Sequence, residues 1–493
     1  MAYQTRTARG APPGTKLEVD CAWRARPAAP FTDVQRVMSR RVWVRCAALG
    51  LSLLASQAPA QITESDPVVE EVVVRGPEKT QPDTVRAYAR VGEGDPLTLE
   101  DLAKVERRLV ATGLFQEVKV SYEPSGPGRV RLILEVEDKA SWVVAPTFVL
   151  QSDNVGGGVL YAENNLWGRS KKFATAAQVS TAESGIFAGF LDPNLFGLPQ
   201  LRFSLEGQLR SDRVDEYQAG SGQRRPEVMR RTRMNSASIA GELGFLLFER
   251  VRAAAKYRLM SIDAKSPDTS EEVTTPAFSL GPSQQDASLR LMVGIDTRQN
   301  LHAVMEGLNL EASYERSNPG VGSDFRYERF GLLYRHGLRL VGEHNLVLRG
   351  EAVAGVDLPF HQEFVMGGNS LRGFVYRQFR GDTRLSFTAE YHFPLFTVNP
   401  LSFRGVAFSD TGMMMWRKLP GDRELRDVNG RVVRSYLPDT EDGLGNATVA
   451  QGVGAGLRLY LRNIVLPLVG VDAAYSVNSG EFHFYLVAGV NPS

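Results

Sequence analysis

The sequence predicts an all-β transmembrane barrel of about sixteen antiparallel strands over residues 141–490, preceded by one small α+β domain over residues 67–139. Two observations predict the barrel. Many segments of about ten residues alternate apolar and polar side chains, as strands with one apolar face do. Short and long links alternate between these segments, as they do on the two sides of a membrane barrel. The chain has no apolar run of about 18 residues, so a transmembrane helix is not predicted.

The alternation is clear in two long segments. In the first, the apolar face is formed by Leu385, Phe387, Ala389, Tyr391 and Phe393. The polar face of the same segment is formed by Ser386, Thr388, Glu390 and His392. The second segment, near the C-terminus, has an apolar face of Phe482, Phe484, Leu486, Ala488 and Val490. A soluble β-sandwich has the same period, but long strands that continue to the end of the chain favour a membrane barrel.

The links between the predicted strands fall into two interleaved sets. The short links are residues 164–171, 192–200, 244–250, 297–306, 337–343, 394–400 and 462–467. The longer links include residues 213–230, 261–285, 355–381 and 411–449. An even number of strands returns the chain to its starting edge, so the sheet closes and exposes no edge to lipid.

Composition and cysteine content exclude several classes of function. The 57 basic and 56 acidic side chains nearly balance, which gives no electrostatic footprint for nucleic acid. The two cysteines, Cys21 and Cys46, precede the predicted mature start, so we expect no thiol nucleophile and no cysteine-ligated metal. The six histidines lack metal-ligand spacing. Gly452, Gly454 and Gly456 lie in a predicted strand with no helix after it, which favours strand glycines over a dinucleotide loop. We therefore predict no enzymatic activity, no metal and no cofactor.

Residues 38–60 are typical of a secretory signal peptide. They have a charged start, a short apolar core and a small-residue exit that ends at Ala60. A buried helix is the alternative interpretation. Residues 1–37 are rich in Ala, Arg and Pro and show no core pattern, so we interpret them as an extension ahead of a true start at Met38.

The segment between the signal and the barrel predicts a compact domain with the element order β-α-α-β-β. Its second helix is opened by Thr98 as N-cap, with acidic residues in the first turn and Gly113 at the end. The predicted elements are a strand at 68–74, a helix at 84–90, a helix after Thr98, and strands at 115–122 and 130–136. By itself, this pattern indicates a small α+β domain of no particular role.

One glycine-rich segment lies in the long link between predicted strands 345–354 and 384–393. It carries one cation, one aromatic ring and several hinges, in the order Gly367, Gly368, Asn369, Ser370, Leu371, Arg372, Gly373 and Phe374. A surface turn would explain the glycines equally well. The following strand contains Phe408, Asp410 and Gly412, which predicts that the Asp410 carboxylate meets Arg372 inside the barrel.

Together these residues resemble the POTRA-plus-barrel superfamily of outer-membrane assembly factors. This superfamily includes the BamA-like and TamA-like insertases, the bacterial surface antigens and the two-partner secretion transporters. The domain at 67–139 is similar to a single POTRA domain. The glycine-rich segment, with Gly367, Gly368, Leu371, Arg372, Gly373 and Phe374, is similar to the motif of the family's sixth extracellular loop. The residues similar to its strand-thirteen and strand-twelve anchor are Phe408, Asp410, Gly412 and Glu390.

The resemblance implies a barrel in the bacterial outer membrane with its POTRA domain in the periplasm. It implies a factor that folds or inserts client barrel proteins through a lateral seam. The implied partners are unfolded outer-membrane or secreted polypeptides, outer-membrane lipids and accessory lipoproteins, but no nucleic acid. Two alternatives stay open. A two-partner secretion transporter would usually add a second POTRA domain and a plug helix, and a porin-like structural barrel would not need a POTRA domain.

The sequence also predicts that the seam between the first and last strands pairs weakly. Proline cannot donate a hydrogen bond to a strand ladder, and Pro146 interrupts the predicted first strand, 141–150. The predicted last strand, 481–490, contains Gly489 and is followed by Pro492. We interpret both features as allowing the seam to open. The alternative is that Pro146 ends the linker and the strand starts after it.

Overall fold

The structure is a computed structural model, which describes residues 66–218, 226–248, 250–265, 277–301, 304–398, 401–461 and 467–488. The predicted extension and signal peptide, together with Gly489 and Pro492, lie outside the described residues. Among the described residues, no helix has the length and apolar character to cross a membrane.

The N-terminal domain has the predicted element order. Its elements are β1 (Val68–Arg75), α1 (Pro82–Ala89), α2 (Leu99–Ala111), β2 (Phe115–Gly126) and β3 (Arg129–Asp138). The sheet order is β1-β3-β2, with β1 parallel and β2 antiparallel to β3. Thr98 caps α2 through a reciprocal pair of hydrogen bonds with Asp101, because its hydroxyl accepts from the Asp101 amide and its own amide donates to the Asp101 carboxylate.

The two helices cover one face of this small sheet. Val85 and Leu109 from the helices are fully buried against Val69 and Leu132 from the strands. Burying side chains of this size contributes about 1.5–3 kcal/mol each. The domain therefore has a core of its own.

In the described part of the chain, sixteen strands form a closed antiparallel barrel, so the predicted fold class is confirmed. The barrel strands are β4 (Trp142–Gln151), β5 (Asn154–Leu166), β6 (Lys171–Ser180), β7 (Glu183–Asp192), β8 (Leu201–Tyr217), β9 (Val228–Leu247), β10 (Val251–Lys265), β11 (Gln284–Asp296), β13 (Val304–Ser317), β14 (Tyr327–Arg339), β15 (Asn345–Val356), β18 (Thr383–Val398), β19 (Leu401–Met415), β22 (Thr448–Leu461), β23 (Pro467–Ser476) and β24 (Phe482–Ala488). The short strands outside the barrel wall are β12 (Gln299–Leu301), β16 (Phe364–Met366), β17 (Phe379–Gly381), β20 (Glu424–Arg426) and β21 (Val432–Ser435). Single 3-10 turns occur at Leu195–Gly197, Pro319–Val321, Phe360–Gln362 and Pro438–Gly443.

The two faces of the wall differ as the alternation predicts. On β8 and β9, Leu205, Leu209 and Ile239 are exposed on the outside, where lipid would cover them. On the inside, Glu315 of β13 is buried and bonds Arg290 of β11 at 2.5 Å. On these strands a charged lumen side chain is thus paired with another, and the outward side chains are apolar.

Several predicted strand limits are wrong, among them those of β18, β19 and β4. Residues 394–400 are not a short link, because β18 continues through Pro394 to Val398, with a register shift at Pro394 that accommodates the missing N–H. The long link predicted at 411–449 starts later, since β19 continues to Met415. Pro146 does not interrupt the first strand, because β4 runs through it and Pro146 pairs with Val159 of β5.

Candidate functional site

Loop six, which we define as residues 357–382 between β15 and β18, folds into the barrel. Its tip, residues 367–374, is a compact turn in which the Gly368 N–H donates to the Phe374 carbonyl oxygen at 3.1 Å. Gly367, Gly368 and Gly373 have φ values of 129°, 62° and 100°, which side chains other than glycine adopt with strain. Phe374 is 2% exposed. The glycines of the sequence motif therefore shape a buried tip and not a surface turn.

Arg372 is the centre of the tip. Its guanidinium forms a two-pronged ion pair with Asp410 of β19, with Nε at 2.7 Å from Oδ2 and Nη2 at 2.9 Å from Oδ1. The Arg372 backbone N–H also donates to Oδ2, at 3.1 Å. Arg372 and Asp410 are 6% and 2% exposed. A fork of this geometry fixes orientation as well as position.

Two further carboxylates and one ring complete the Arg372 site. Glu390 of β18 and Asp472 of β23 lie 2.8 Å and 3.0 Å from Nη1. The Phe408 ring lies under the guanidinium, with its centroid 3.4 Å from Cζ, as a cation–π contact requires. The tip is thereby fastened to three separate strands of the wall.

The carboxylates also have partners on the wall itself. Glu390 accepts from Arg349 at 3.2 Å and lies 3.1 Å from the His392 ring nitrogen. Asp472 accepts from Arg458 at 2.5 Å and 2.8 Å. If Arg372 were withdrawn, these acids would keep some charge compensation, whereas the ion pair of Asp410 among the described residues is the one with Arg372.

The glycines of β22 make room for the tip. A Cβ added at Gly452 would collide with the Arg372 carbonyl oxygen. At Gly454 it would collide with the Phe408 ring, and at Gly456 with the Asp472 carboxylate. The three glycines that could suggest a dinucleotide loop therefore give β22 a surface without side chains, against which loop six and its anchor residues pack. Gly412 serves similarly, since a Cβ there would collide with the Met366 side chain.

The seam between β4 and β24 lies beside the tip. Among the described residues it has three pairs, Leu486 with Leu150, Val487 with Val149 and Ala488 with Phe148. The first half of β4, residues 142–147, pairs with β5 on its other side. The ladder across the seam is thus the shortest among the sixteen described strand junctions of the barrel.

The N-terminal domain contacts the turn between β5 and β6, residues 167–170, and the end of β5. The Gln81 N–H donates to the Gly168 carbonyl at 2.9 Å, and Asn165 donates to the Thr80 hydroxyl at 2.7 Å. Lys79 forms an ion pair with Glu163 at 2.7 Å. These contacts attach the domain to strands next to β4.

Asp138, at the end of β3, organises the segment that makes these contacts. Its carboxylate accepts N–H bonds from Glu78 at 2.8 Å and Lys79 at 2.7 Å, and it also accepts from the Thr80 hydroxyl. Burial would raise the pKa of Asp138, but these hydrogen bonds outweigh burial and hold it below its ordinary value.

All ten residues that the sequence analysis singled out lie at or around the tip, but three neighbours were missed. Asp472 is a single acid between small residues of β23, which no motif marks. The strand alternation could have marked it, because Asp472 lies on the same face of β23 as Ala474 and Ser476, which is the lumen side. An isolated charge on that side needs a partner. Gln151 and Tyr485 bond the tip from the two seam strands. Their contacts depend on closure of the barrel, which local sequence does not report.

Comparison with known proteins gives two family matches. The Omp85 superfamily domain matches residues 165–478. POTRA, described as the surface antigen variable number repeat, matches residues 67–139. Comparison with curated protein sequences gives no match.

Several solved structures share the fold. Three of them are BamA from Haemophilus ducreyi lacking POTRA domains 1–3, CdiB from Acinetobacter baumannii and CdiB from Escherichia coli. Their TM-scores are 0.56, 0.56 and 0.55, at 15%, 14% and 14% sequence identity. Each alignment covers 86% of this chain, and the alignments cover 84%, 74% and 76% of the three structures. At this identity the similarity is one of fold.

Proposed function

Because the chain belongs to the Omp85 superfamily, we propose that it is an outer-membrane insertion factor that folds or inserts client barrel proteins at the seam between β4 and β24. Its POTRA domain lies in the periplasm and receives the client. The ten motif residues at the loop-six tip and its anchor hold the barrel in the form that performs this work. No catalytic step is part of the proposal.

The observation that carries the proposal is the short seam. Ten residue pairs join β4 to β5 and seven join β23 to β24, but three described pairs join β24 to β4. A net hydrogen bond contributes about 0.5–1.5 kcal/mol, so this junction opens at lower cost than its neighbours. Backbone groups left unpaired in lipid are costly, so an opened edge favours pairing with another strand.

The POTRA domain supports the proposal through its sheet edges. The outer edge of β1 is already occupied, since Val69 donates to Asp95 at 2.9 Å and accepts from Gly94 at 2.8 Å. The edge available for strand addition is therefore β2, on the other side of the sheet. A photo-crosslinker at the exposed Lys119 of β2 should capture an unfolded client, and one at the exposed Glu71 of β1 should not. Equal capture at both positions would reject the β2 edge as the binding site.

A secretion transporter remains the second candidate, because the BamA structure and one CdiB structure fit this fold with equal TM-scores. In this structure, contacts between two loops obstruct the passage of a polypeptide through the lumen. Arg434, from the long loop between β19 and β22, forms buried ion pairs with Glu216 of β8 at 2.5 Å and Glu363 of loop six at 2.6 Å. The two loops therefore meet above the lumen, and a transported chain would have to displace them.

The experiment that separates the candidates uses liposomes containing the purified protein and an added unfolded client barrel. Insertion predicts that the client becomes embedded in the bilayer, with the altered gel migration of a folded barrel when unheated. Secretion predicts a client released on the far side and protected from added protease. Liposomes containing the barrel without residues 67–139 test the POTRA role. If liposomes containing the full-length protein fold the client no faster than empty liposomes do, the proposed function is overturned.

A further inference from the structure

Loop six contacts both strands of the seam at the level where their ladder stops. The described pair nearest the loop is Leu486 with Leu150. One further step in the same antiparallel register sets Tyr485 opposite Gln151. Both of these side chains face the lumen, and both are bonded to the loop-six tip.

On the β24 side, the bond is made by the Tyr485 hydroxyl. It accepts the Gly373 N–H at 2.8 Å and donates to the Phe374 carbonyl at 3.1 Å. The Tyr485 side chain is 2% exposed. Both hydrogen-bonding capacities of the hydroxyl are thus directed at the backbone of the tip.

On the β4 side, the bond is made by the Gln151 carboxamide. Its oxygen accepts the Asn369 N–H at 2.9 Å, and Gln151 is 6% exposed. The next residue, Ser152, accepts a longer bond from the Tyr376 N–H at 3.4 Å. A Cβ at Gly368 would collide with the Gln151 carboxamide, so the tip rests directly on this side chain.

The two attachments are joined through the tip itself. The bond from Gly368 to the Phe374 carbonyl ties the segment that contacts Gln151 to the segment that contacts Tyr485. Arg372 then fastens the same tip to the wall through Asp410 and its neighbours. On the β24 side the tip makes two hydrogen bonds to Tyr485, and Arg372 adds an ion pair with Asp472 of the adjacent strand β23. Gln151 accepts one neutral hydrogen bond, so the Gln151 attachment is the weaker of the two ends.

We propose that the loop-six tip is a latch across the seam, which Gln151 and Tyr485 hold closed as positioning residues and which releases first at Gln151. The tip adds bonds where the strand ladder has ended, and it stays with β24 and the Arg372 anchor when β4 moves away. The biological meaning of the latch rests on the proposed function, but opening of the seam can be measured without any client.

The test measures the distance across the seam in the full chain reconstituted in bilayers. Spin labels are placed on cysteines at Val155 of β5 and Phe484 of β24, which are 50% and 66% exposed on the outer face. Cys21 and Cys46 are replaced by serine. Ten pairs tie β5 to β4, so the Val155 label reports the position of β4. Double electron–electron resonance then gives the fraction of molecules with the longer, open distance.

Loss of one net hydrogen bond corresponds to about a fivefold change in an equilibrium. Gln151→Ala, which removes one bond to the tip, should therefore raise the open fraction about fivefold. Tyr485→Phe, which removes two, should raise it about 25-fold. Tyr485→Phe keeps the ring, so it tests the hydroxyl with the packing retained. Gln208→Ala, at a lumen-facing position of β8, is the matched control and should leave the fraction unchanged. Altered gel migration without heating confirms that each variant is folded.

The outcomes separate the latch from the proposed function. Folded Gln151→Ala and Tyr485→Phe barrels with the wild-type distance distribution would overturn the latch, whether or not clients are assembled. A raised open fraction supports the latch even if no client is inserted, in which case the insertion function alone is overturned. An equal rise in Gln208→Ala would also overturn the latch, because the effect would then not depend on contact with loop six.

Discussion

The β4–β24 seam and the β8–β9 wall consist of the same kind of strand, but they are held together differently. β8 and β9 have 17 and 20 residues and pair from Leu201 with Phe245 as far as Tyr217 with Val228. β4 and β24 have 10 and 7 residues, and three described pairs join them. The wall is closed by its own ladder, whereas the seam relies on side chains and on a loop. The seam is therefore the junction at which the proposed function expects the barrel to yield.

The ends of the two regions that lie nearest the long loops repeat the contrast. Above the wall, Glu216 of β8 bonds Arg230 of β9 and Arg434 of the β19–β22 loop, each at 2.5 Å. Above the seam, the bonds at the end of β4 are neutral: Gln151 accepts from Asn369, and Ser152 bonds Tyr376 and His483. Buried charged pairs resist separation more strongly than single neutral bonds. The loops thus reinforce the wall with ion pairs and hold the end of β4 with neutral bonds, as the proposed latch requires.

Removal of the Arg372 anchor should have the largest effect on stability. Arg372→Ala should lower the free energy of unfolding by about 3–5 kcal/mol, because it leaves buried carboxylates without their partner. Asp410→Ala should cost a similar amount, and the double variant little more. Urea unfolding of the barrel in detergent, followed by gel migration, measures all three. Additive losses in this cycle would reject the pairing.

A matched control variant shows that burial makes the difference. Arg316 pairs with Glu328 at 3.6 Å, but its side chain is 59% exposed. Arg316→Ala should cost about 0–1 kcal/mol in the same urea assay, as exposed ion pairs do.

A glycine comparison sharpens the contrast between the two regions. Gly452→Val should destabilise the barrel by about 1–3 kcal/mol, since overpacking forces the Arg372 carbonyl away from β22. A Cβ at Gly241 of β9 meets nothing within 4 Å, so Gly241→Val should be neutral or slightly stabilising. Thermal unfolding of the two variants measures the difference. If Gly452→Val and Gly241→Val lower the stability equally, the glycines of β22 are not required for loop six to pack against this strand.

The sequence predicted the wall well and the junctions poorly. Alternation in β18 and β24 is a local property, so it showed which side chains face lipid. Pro394 misled the prediction, because a proline is tolerated in a strand where the register shifts. Pro146 misled it too, since β4 runs through this residue without interruption.

The candidate site shows the same division. Arg372 and Asp410 could be predicted because motifs of two adjacent segments mark them. Asp472 and Gln151 could not, because they reach the tip only once strands far apart in sequence have closed the barrel. Contacts of this kind depend on the register of many strands at once, and no single segment carries that information.

The smallest expected effect is a pH dependence of the POTRA attachment. Since the pKa of Asp138 is lowered in the folded protein, its stabilisation is present above the ordinary value of 3.8 and is lost as the pH falls through the folded value. Pepsin should therefore cleave the full-length protein near residues 78–80 faster as the pH drops below about 4. Asp138→Asn should be cleaved readily throughout this range. If the ratio of the wild-type cleavage rate to the Asp138→Asn cleavage rate stays constant as the pH falls, the prediction is contradicted.

The most direct test of a yielding seam is to lock it and compare that lock with one in the wall. Paired strand positions lie about 4.5–5.5 Å apart at Cα, within reach of a disulfide. One variant carries cysteines at the paired Val149 and Val487, and the other at the paired Gln208 and Ser238 of β8 and β9. We predict that the seam lock stops client assembly, that reduction restores it, and that the wall lock has no effect. A locked seam that still assembles clients at the normal rate would contradict the account.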